Sequence, residues 1–111
     1  MALPEKGRLL KIFIGESDRY EGVPLYKWIV KKARKEGLAG ATVLRGMLGY
    51  GAHSRIHTTK ILRLSEDLPV VIEIIDTPEK IEAFLPSIEQ AVKEGLTTIE
   101  EVQIKFYRGM G

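Results

Sequence analysis

Residues 70–75, with the sequence VVIEII, constrain the fold more than any other stretch of the chain. β-Branched residues occupy both faces of this segment, which is typical of a strand that is covered on two sides. We therefore predict that it lies in the middle of a sheet. A weaker extended pattern at 61–64 precedes it, and the polar and proline-containing residues 65–69 separate the two.

Three further segments have the alternation of apolar and polar residues that predicts strands. They span 9–15, 40–48 and, close to the C-terminal end, 102–107. The first has apolar residues on its second face as well, among them Phe13. This indicates a central strand, or a strand whose outer face meets another subunit. Apolar residues on the open side of the sheet favour neighbouring subunits as its cover.

Two segments have helical spacing. The first covers 25–36, ends at Gly37 and has a lysine-rich face that we interpret as solvated. The second begins at Asp76–Thr77, where either residue can cap, with Pro78 in the first helical position, and it ends at Gly95. Pro86 lies within its apolar stripe and predicts a kink or a local break.

The predicted order is β-α-β-β-α-β, which defines an α+β, ferredoxin-like fold. Four antiparallel strands would carry both helices on one face. With 111 residues, we predict a single domain over 1–111.

Composition excludes several classes of function. The formal net charge of +2 requires neither a nucleic-acid nor a membrane partner, and the absence of cysteine excludes disulfides, thiolate metal sites and cysteine nucleophiles. No apolar stretch approaches the ~20 residues that span a bilayer, and the N-terminal residues do not resemble a signal peptide. We expect a cytoplasmic protein. The chain has no asparagine and many charged residues, which suggests a thermophilic source.

The run RGMLGYGAHSRIH, residues 45–57, contains the candidate binding residues. Glycine permits close approach to the backbone, and successive N–H groups in a glycine-rich turn can hold an anion, although a hinge or a tight turn is the alternative interpretation. Arg45 can bind a phosphate or pair with a carboxylate, for which Glu73 on the next strand is a candidate.

Two further pairs of residues, the histidines 53 and 57 and the acidic residues 16 and 18, are considered as candidates for metal binding or catalysis. His53 and His57 are four residues apart in a predicted loop without a third ligand, so we predict no metal site and regard His57 as a loop anchor or a phosphate contact. Glu16 and Asp18 are acidic residues in a loop, where no activated nucleophile accompanies them. We interpret them as turn-capping residues.

Several segments together resemble the PII-like branch of the nitrogen-regulatory signalling superfamily. They are AxVLRGMLGYG, the following His57–Thr58, LSEDLPVVIEIID and PEKIEAFLPSIEQAVKEGL, and the resemblance extends from about Leu10 to Lys105. It implies a ferredoxin-like fold, a homotrimer and a nucleotide-binding site. We expect an adenine nucleotide as effector, no required cofactor and no enzymatic activity. The site would lie between subunits, beside the loop that joins the second and third strands.

The nucleotide-binding residues that the residue pattern and this resemblance together suggest are Arg45, Gly46, Gly49, Tyr50, Gly51, His57, Lys105 and Arg108. The loop 49–59 is shorter than the modifiable loop of better-known PII proteins, and its tyrosine, Tyr50, lies at its base, so we expect no uridylylation. Residues 95–98 lack the extended glycine-rich phosphate loop of those relatives. AMP, ADP and ATP therefore remain open as ligands.

Two function hypotheses follow. The first is a PII-like regulator that binds an adenine nucleotide at intersubunit clefts and signals to a protein target through the loop 49–59. The alternative is a ferredoxin-like nucleic-acid-binding module, which requires aromatic residues on the open sheet face. Only Phe13 and Tyr107 are placed for that role. We find no acid–base pair that would support a small enzyme.

Overall fold

A computed structural model describes residues 5–50 and 67–109 of the chain. Its elements, in chain order, are β1 (Lys6–Gly15), β2 (Arg19–Tyr20), β3 (Val23–Pro24), α1 (Leu25–Lys35), β4 (Thr42–Arg45), β5 (Pro69–Asp76), α2 (Pro78–Ala91) and β6 (Leu96–Gln103). Four strands form one antiparallel sheet in the order β4-β5-β1-β6. The predicted α+β, ferredoxin-like fold is confirmed.

The strand β5 lies inside the sheet, as its sequence predicts. It pairs with β1 on one side, where Ile72 is opposite Ile12, and with β4 on the other, where Ile72 is opposite Val43. The weaker extended segment predicted at 61–64 lies outside the described residues.

The core lies between one face of the sheet and the two helices. It contains alternate residues of β1 and β5 together with the apolar stripes of α1 and α2: Leu10, Ile12, Ile14, Leu25, Ile29, Ala33, Val70, Ile72, Ile74, Ile81, Phe84, Ile88 and Ala91. Both helices therefore cover the same face. The opposite face, which we call the open face, contains partly exposed apolar residues such as Phe13, Leu44, Ile75 and Leu96.

The helix α2 begins as its sequence predicts. Thr77 is the N-cap, its hydroxyl oxygen accepts a hydrogen bond from the Lys80 amide at 3.2 Å, and Pro78 takes the first helical position. The helix then continues through Pro86 without the break that we considered, and it ends at Ala91 rather than at Gly95. The buried stripe of Ile81, Phe84 and Ile88 holds both halves on one core, which offsets the hydrogen bond that proline removes.

Gly95 has a packing role in place of the predicted helix stop. A Cβ atom on this residue would lie 2.7 Å from the carbonyl oxygen of Phe13 and 2.9 Å from a methyl group of Val92. Only glycine lets the chain pass this close to β1.

The last strand begins earlier in the sequence than we predicted. The strand β6 covers Leu96–Gln103, which includes most of the predicted loop at 95–98, and Leu96 is opposite Phe13 while Gln103 is opposite Lys6. Almost all of its residues are exposed, because it is an edge strand, so it lacks the apolar alternation that our prediction followed. The other strands also differ in length: β1 begins at Lys6, and β4 covers only Thr42–Arg45.

A hairpin that the sequence interpretation missed precedes α1. Its strands β2 and β3 are joined through Glu21 and Gly22, whose φ angles are 50° and 81°, as a type I′ turn requires. The ring of Tyr20 packs edge-to-face against Trp28 of α1, with centroids 4.7 Å apart. This contact anchors the hairpin to the helix.

Candidate functional site

The first candidate cluster lies where β4 ends. Arg45 is the last residue of β4 and is opposite Val70. Its Nη2 donates to Oε2 of Glu16, in the connection that follows β1. Our prediction of Glu73 as the carboxylate partner is wrong, since Glu73 is opposite Thr42. Residues alternate between the faces of a strand, so Arg45 and Glu73 project to opposite sides of the sheet.

Of the two acidic residues that we interpreted as turn-capping, Asp18 has that role and Glu16 has a different one. Oδ2 of Asp18 accepts from the Gly15 amide at 3.0 Å, which confirms that Asp18 caps a turn. Glu16 forms the ion pair with Arg45. At the end of β1, the carboxylate of Asp67 also accepts from the Ser17 amide at 3.1 Å.

Gly46 and Gly49 pack against the ring of Pro69. The Gly46 amide donates to the Pro69 carbonyl at 2.7 Å, and a Cβ on Gly46 would lie 2.7 Å from Cγ of that ring. The same atom is 3.0 Å from the Cβ position of Gly49. Neither glycine is among the positive-φ residues. Close approach to Pro69 thus explains both glycines without an anion.

Of the other residues in this predicted cluster, the structure describes only Tyr50. Tyr50 is 75% exposed. Gly51, His53 and His57 lie outside the described residues, so their predicted roles stay predictions.

The Pro69 contact predicts a stability effect. We expect Gly46→Ala to lower the free energy of unfolding by about 1–3 kcal/mol, because the added methyl group meets a rigid ring. Gly40→Ala is the matched control, since no atom lies within 4 Å of its Cβ position. Urea denaturation of both variants measures the difference. An unchanged midpoint for Gly46→Ala would show that the ring does not require glycine here.

The second candidate cluster is a groove of about 640 Å³ at the other end of the sheet. Its walls are the segment 39–42, two residues of β5, and the end of β6 with the segment that follows it: Ala39, Gly40, Ala41, Thr42, Glu73, Ile75, Val102, Gln103, Ile104, Lys105, Phe106 and Tyr107. The predicted site residue Lys105 lines this groove. The guanidinium of Arg108 stacks on the ring of Phe106 at 4.3 Å.

Hydrogen bonds to Ala39 hold the walls of the groove together. The Tyr107 hydroxyl donates to the Ala39 carbonyl at 2.8 Å, and the Ala39 amide donates to Oδ2 of Asp76 at 2.8 Å. Asp76 is fully buried, and its second oxygen accepts from the Thr77 amide at 2.6 Å. Sequence reasoning considered Asp76 only as a helix cap. An acidic residue directly after a buried strand was the available signal for this wider role.

The structure does not bring all the predicted site residues together within one chain. One group begins with Arg45, the last residue of β4, which is opposite Val70, and continues with Gly46, Gly49 and Tyr50. The other group, Lys105 and Arg108, lies beyond the level of Ile75 at the opposite end of β5. At the rise of a strand, Val70 and Ile75 alone are roughly 17 Å apart. One ligand can contact both clusters only if a second chain supplies one of them.

Two further findings concern residues 5–50 and 67–109. No group of three or more His, Cys, Asp or Glu residues in these ranges could hold a metal ion. No helix in the same ranges has the length and hydrophobicity needed to cross a membrane.

The fold is ferredoxin-like, and comparisons with known proteins identify the family to which the chain belongs. Residues 7–104 match the model of the family DUF190, described as Uncharacterized ACR, COG1993. A UPF0166 protein of Aquifex aeolicus is 44% identical over 99 residues, which cover 89% of this chain and 93% of the relative. A UPF0166 protein of Methanocaldococcus jannaschii is 40% identical over 105 residues, or 94% of each chain. The chain belongs to this family.

Solved structures agree with the fold. The protein CPII from Thiomonas intermedia, bound to ADP, AMP and acetate, has a TM-score of 0.57 and 16% identity over 94% of this chain and 91% of that one. A protein from Thermus thermophilus, classed with PII-like signalling proteins, has a TM-score of 0.61 and 16% identity over 93% and 91% of the two chains. The prediction is confirmed in this sense: the chain belongs to an uncharacterised family, and its structure is similar to those of PII-like proteins.

Proposed function

We propose that this protein is a PII-like regulator that binds an adenine nucleotide in clefts between the subunits of a homotrimer. The observation that carries this proposal is the position of the two candidate clusters at opposite ends of one sheet. A cleft between neighbouring chains would join the Arg45 cluster of one subunit to the groove of the next. CPII, which has the same fold, was crystallised with ADP and AMP.

The groove suits the nucleoside part of such a ligand. Its volume of about 640 Å³ lies in the usual range for small-molecule sites, and Ile75, Val102 and Phe106 give it apolar walls. Lys105 at the same groove supplies a cation for a phosphate group. We propose Lys105 and Arg108 as the basic residues that one subunit contributes.

The Arg45 cluster suits the phosphate part. A guanidinium has five N–H donors, so Arg45 can bind a phosphate oxygen with those that Glu16 leaves free. We retain Gly46, Gly49 and Tyr50 as neighbours of the ligand because they follow Arg45 directly. Gly51 and His57, outside the described residues, stay part of the proposal on the sequence alone.

The open face supports association of subunits. Phe13, Leu44, Ile75 and Leu96 are between 36% and 57% exposed, and these apolar side chains would be removed from water by a neighbouring copy. Phe13 is the single aromatic residue that the described strands place on this face. The alternative of base stacking on the sheet therefore has little support.

We further propose that the protein catalyses no reaction and acts as a signal. Filling of the cleft would alter the loop 49–59, which follows Arg45 in the chain, and so change the surface offered to a protein target. The nucleotide is an effector and no cofactor is required. The cytoplasmic location and the thermophilic source stay predictions.

Titration calorimetry tests the binding step. We expect saturable heat with at least one of AMP, ADP and ATP, at one site per subunit, on protein freed of copurified nucleotide. Light scattering on the same sample should give the mass of a trimer. Absence of heat with all three nucleotides would exclude the proposed ligand class, and a monomer would remove the cleft.

A further inference from the structure

Glu16 is an acidic residue in direct contact with the arginine of the candidate site, so its charge opposes the proposed ligand. Its Oε2 accepts from Nη2 of Arg45, the guanidinium that we propose for phosphate binding. The Glu16 side chain is 22% exposed, while that of Arg45 is 62% exposed. The carboxylate is thus the more buried partner, and the arginine keeps a solvent-accessible side.

The backbone around Glu16 keeps this carboxylate in place. The Glu16 amide donates to the Leu68 carbonyl at 2.8 Å, and the following amide, of Ser17, donates to Asp67 at 3.1 Å. Asp18 binds the Gly15 amide at 3.0 Å. A phosphate that approaches Arg45 therefore meets a fixed carboxylate, with Asp18 and Asp67 near it.

We propose that Glu16 determines specificity at this half of the site by selecting against the more highly charged phosphate chains. It neutralises part of the charge of Arg45 and repels additional negative charge nearby. The inference rests on the proposed nucleotide site and adds to it the class of ligand preferred, namely a nucleoside monophosphate or diphosphate over a triphosphate.

The test compares AMP, ADP and ATP, without Mg²⁺, on the wild-type protein and on Glu16→Gln. Glutamine keeps one oxygen that can accept from Arg45 and removes the negative charge. We expect the variant to bind AMP about threefold more tightly and ATP about tenfold more tightly, with ADP between them. The gain should shrink as ionic strength rises.

Glu82→Gln is the matched control. Glu82 of α2 also pairs with an arginine, Arg8, at 3.5 Å, but Arg8 is opposite Asp76, at the other end of β5 from Arg45. Its substitution should leave all three affinities unchanged. Equal affinity changes for AMP and ATP in Glu16→Gln would overturn the inference while leaving the proposed function intact. Absence of binding in both proteins would overturn both.

Discussion

Asp76→Ala is expected to lower the free energy of unfolding by about 2–4 kcal/mol, the largest stability effect that we predict for a polar residue. The buried carboxylate accepts from the amides of Ala39 and Thr77, at 2.8 and 2.6 Å. Alanine would leave both amides without this partner at a position where the carboxylate itself is fully buried. Urea denaturation measures the loss.

Asp67→Ala is the control for this prediction. The Asp67 carboxylate also accepts from a backbone amide, that of Ser17, but at an exposed position. Water can replace it, so the loss should stay below about 1 kcal/mol. Equal losses in the two variants would show that burial of Asp76 does not give its hydrogen bonds a special role.

The second large effect concerns ligand affinity. We expect Arg45→Ala and Lys105→Ala each to weaken nucleotide binding about tenfold to a hundredfold, because a hydrogen bond to a charged group contributes about 1.5–3 kcal/mol. Titration calorimetry with the tightest-binding nucleotide measures both. The two variants should lose a similar amount of nucleotide affinity, although the two side chains lie at opposite ends of the sheet in one chain.

Lys27→Ala provides the control for charge alone. Lys27 is an exposed residue of α1 on the solvated face predicted from the sequence. Its loss removes the same charge without touching either cluster, so affinity should change less than about twofold. A loss equal to that of Arg45→Ala would indicate a general electrostatic effect in place of direct contact.

The order of the main elements could be predicted from sequence because burial leaves a periodic pattern. In β5, Val70, Ile72 and Ile74 are buried, and the helix stripes that cover them have regular spacing. The edge strand β6 gives no such signal, since its residues are mostly exposed. The two-residue strands of the hairpin at 19–24 are too short to show any period.

The candidate site was predictable only in part, because its contacts join residues far apart in sequence. The glycines at 46 and 49 indicated that another group approaches the backbone closely, but the residues 45–57 do not show that this group is the ring of Pro69. Likewise, Arg45 was recognised as an ion-pairing residue while its partner, Glu16, depends on which face each side chain takes. The groove needs the segments 39–42 and 102–107 together, which only the sheet order provides.

Mixing of defective subunits tests the central claim, that each site joins opposite ends of two chains. Arg45→Ala and Lys105→Ala are coexpressed with different tags, and mixed trimers are isolated through both tags. In each mixed trimer one cleft combines an intact Arg45 end with an intact groove, so we predict that about one third of the sites regain wild-type affinity. Mixed trimers without any recovered high-affinity site would contradict the account.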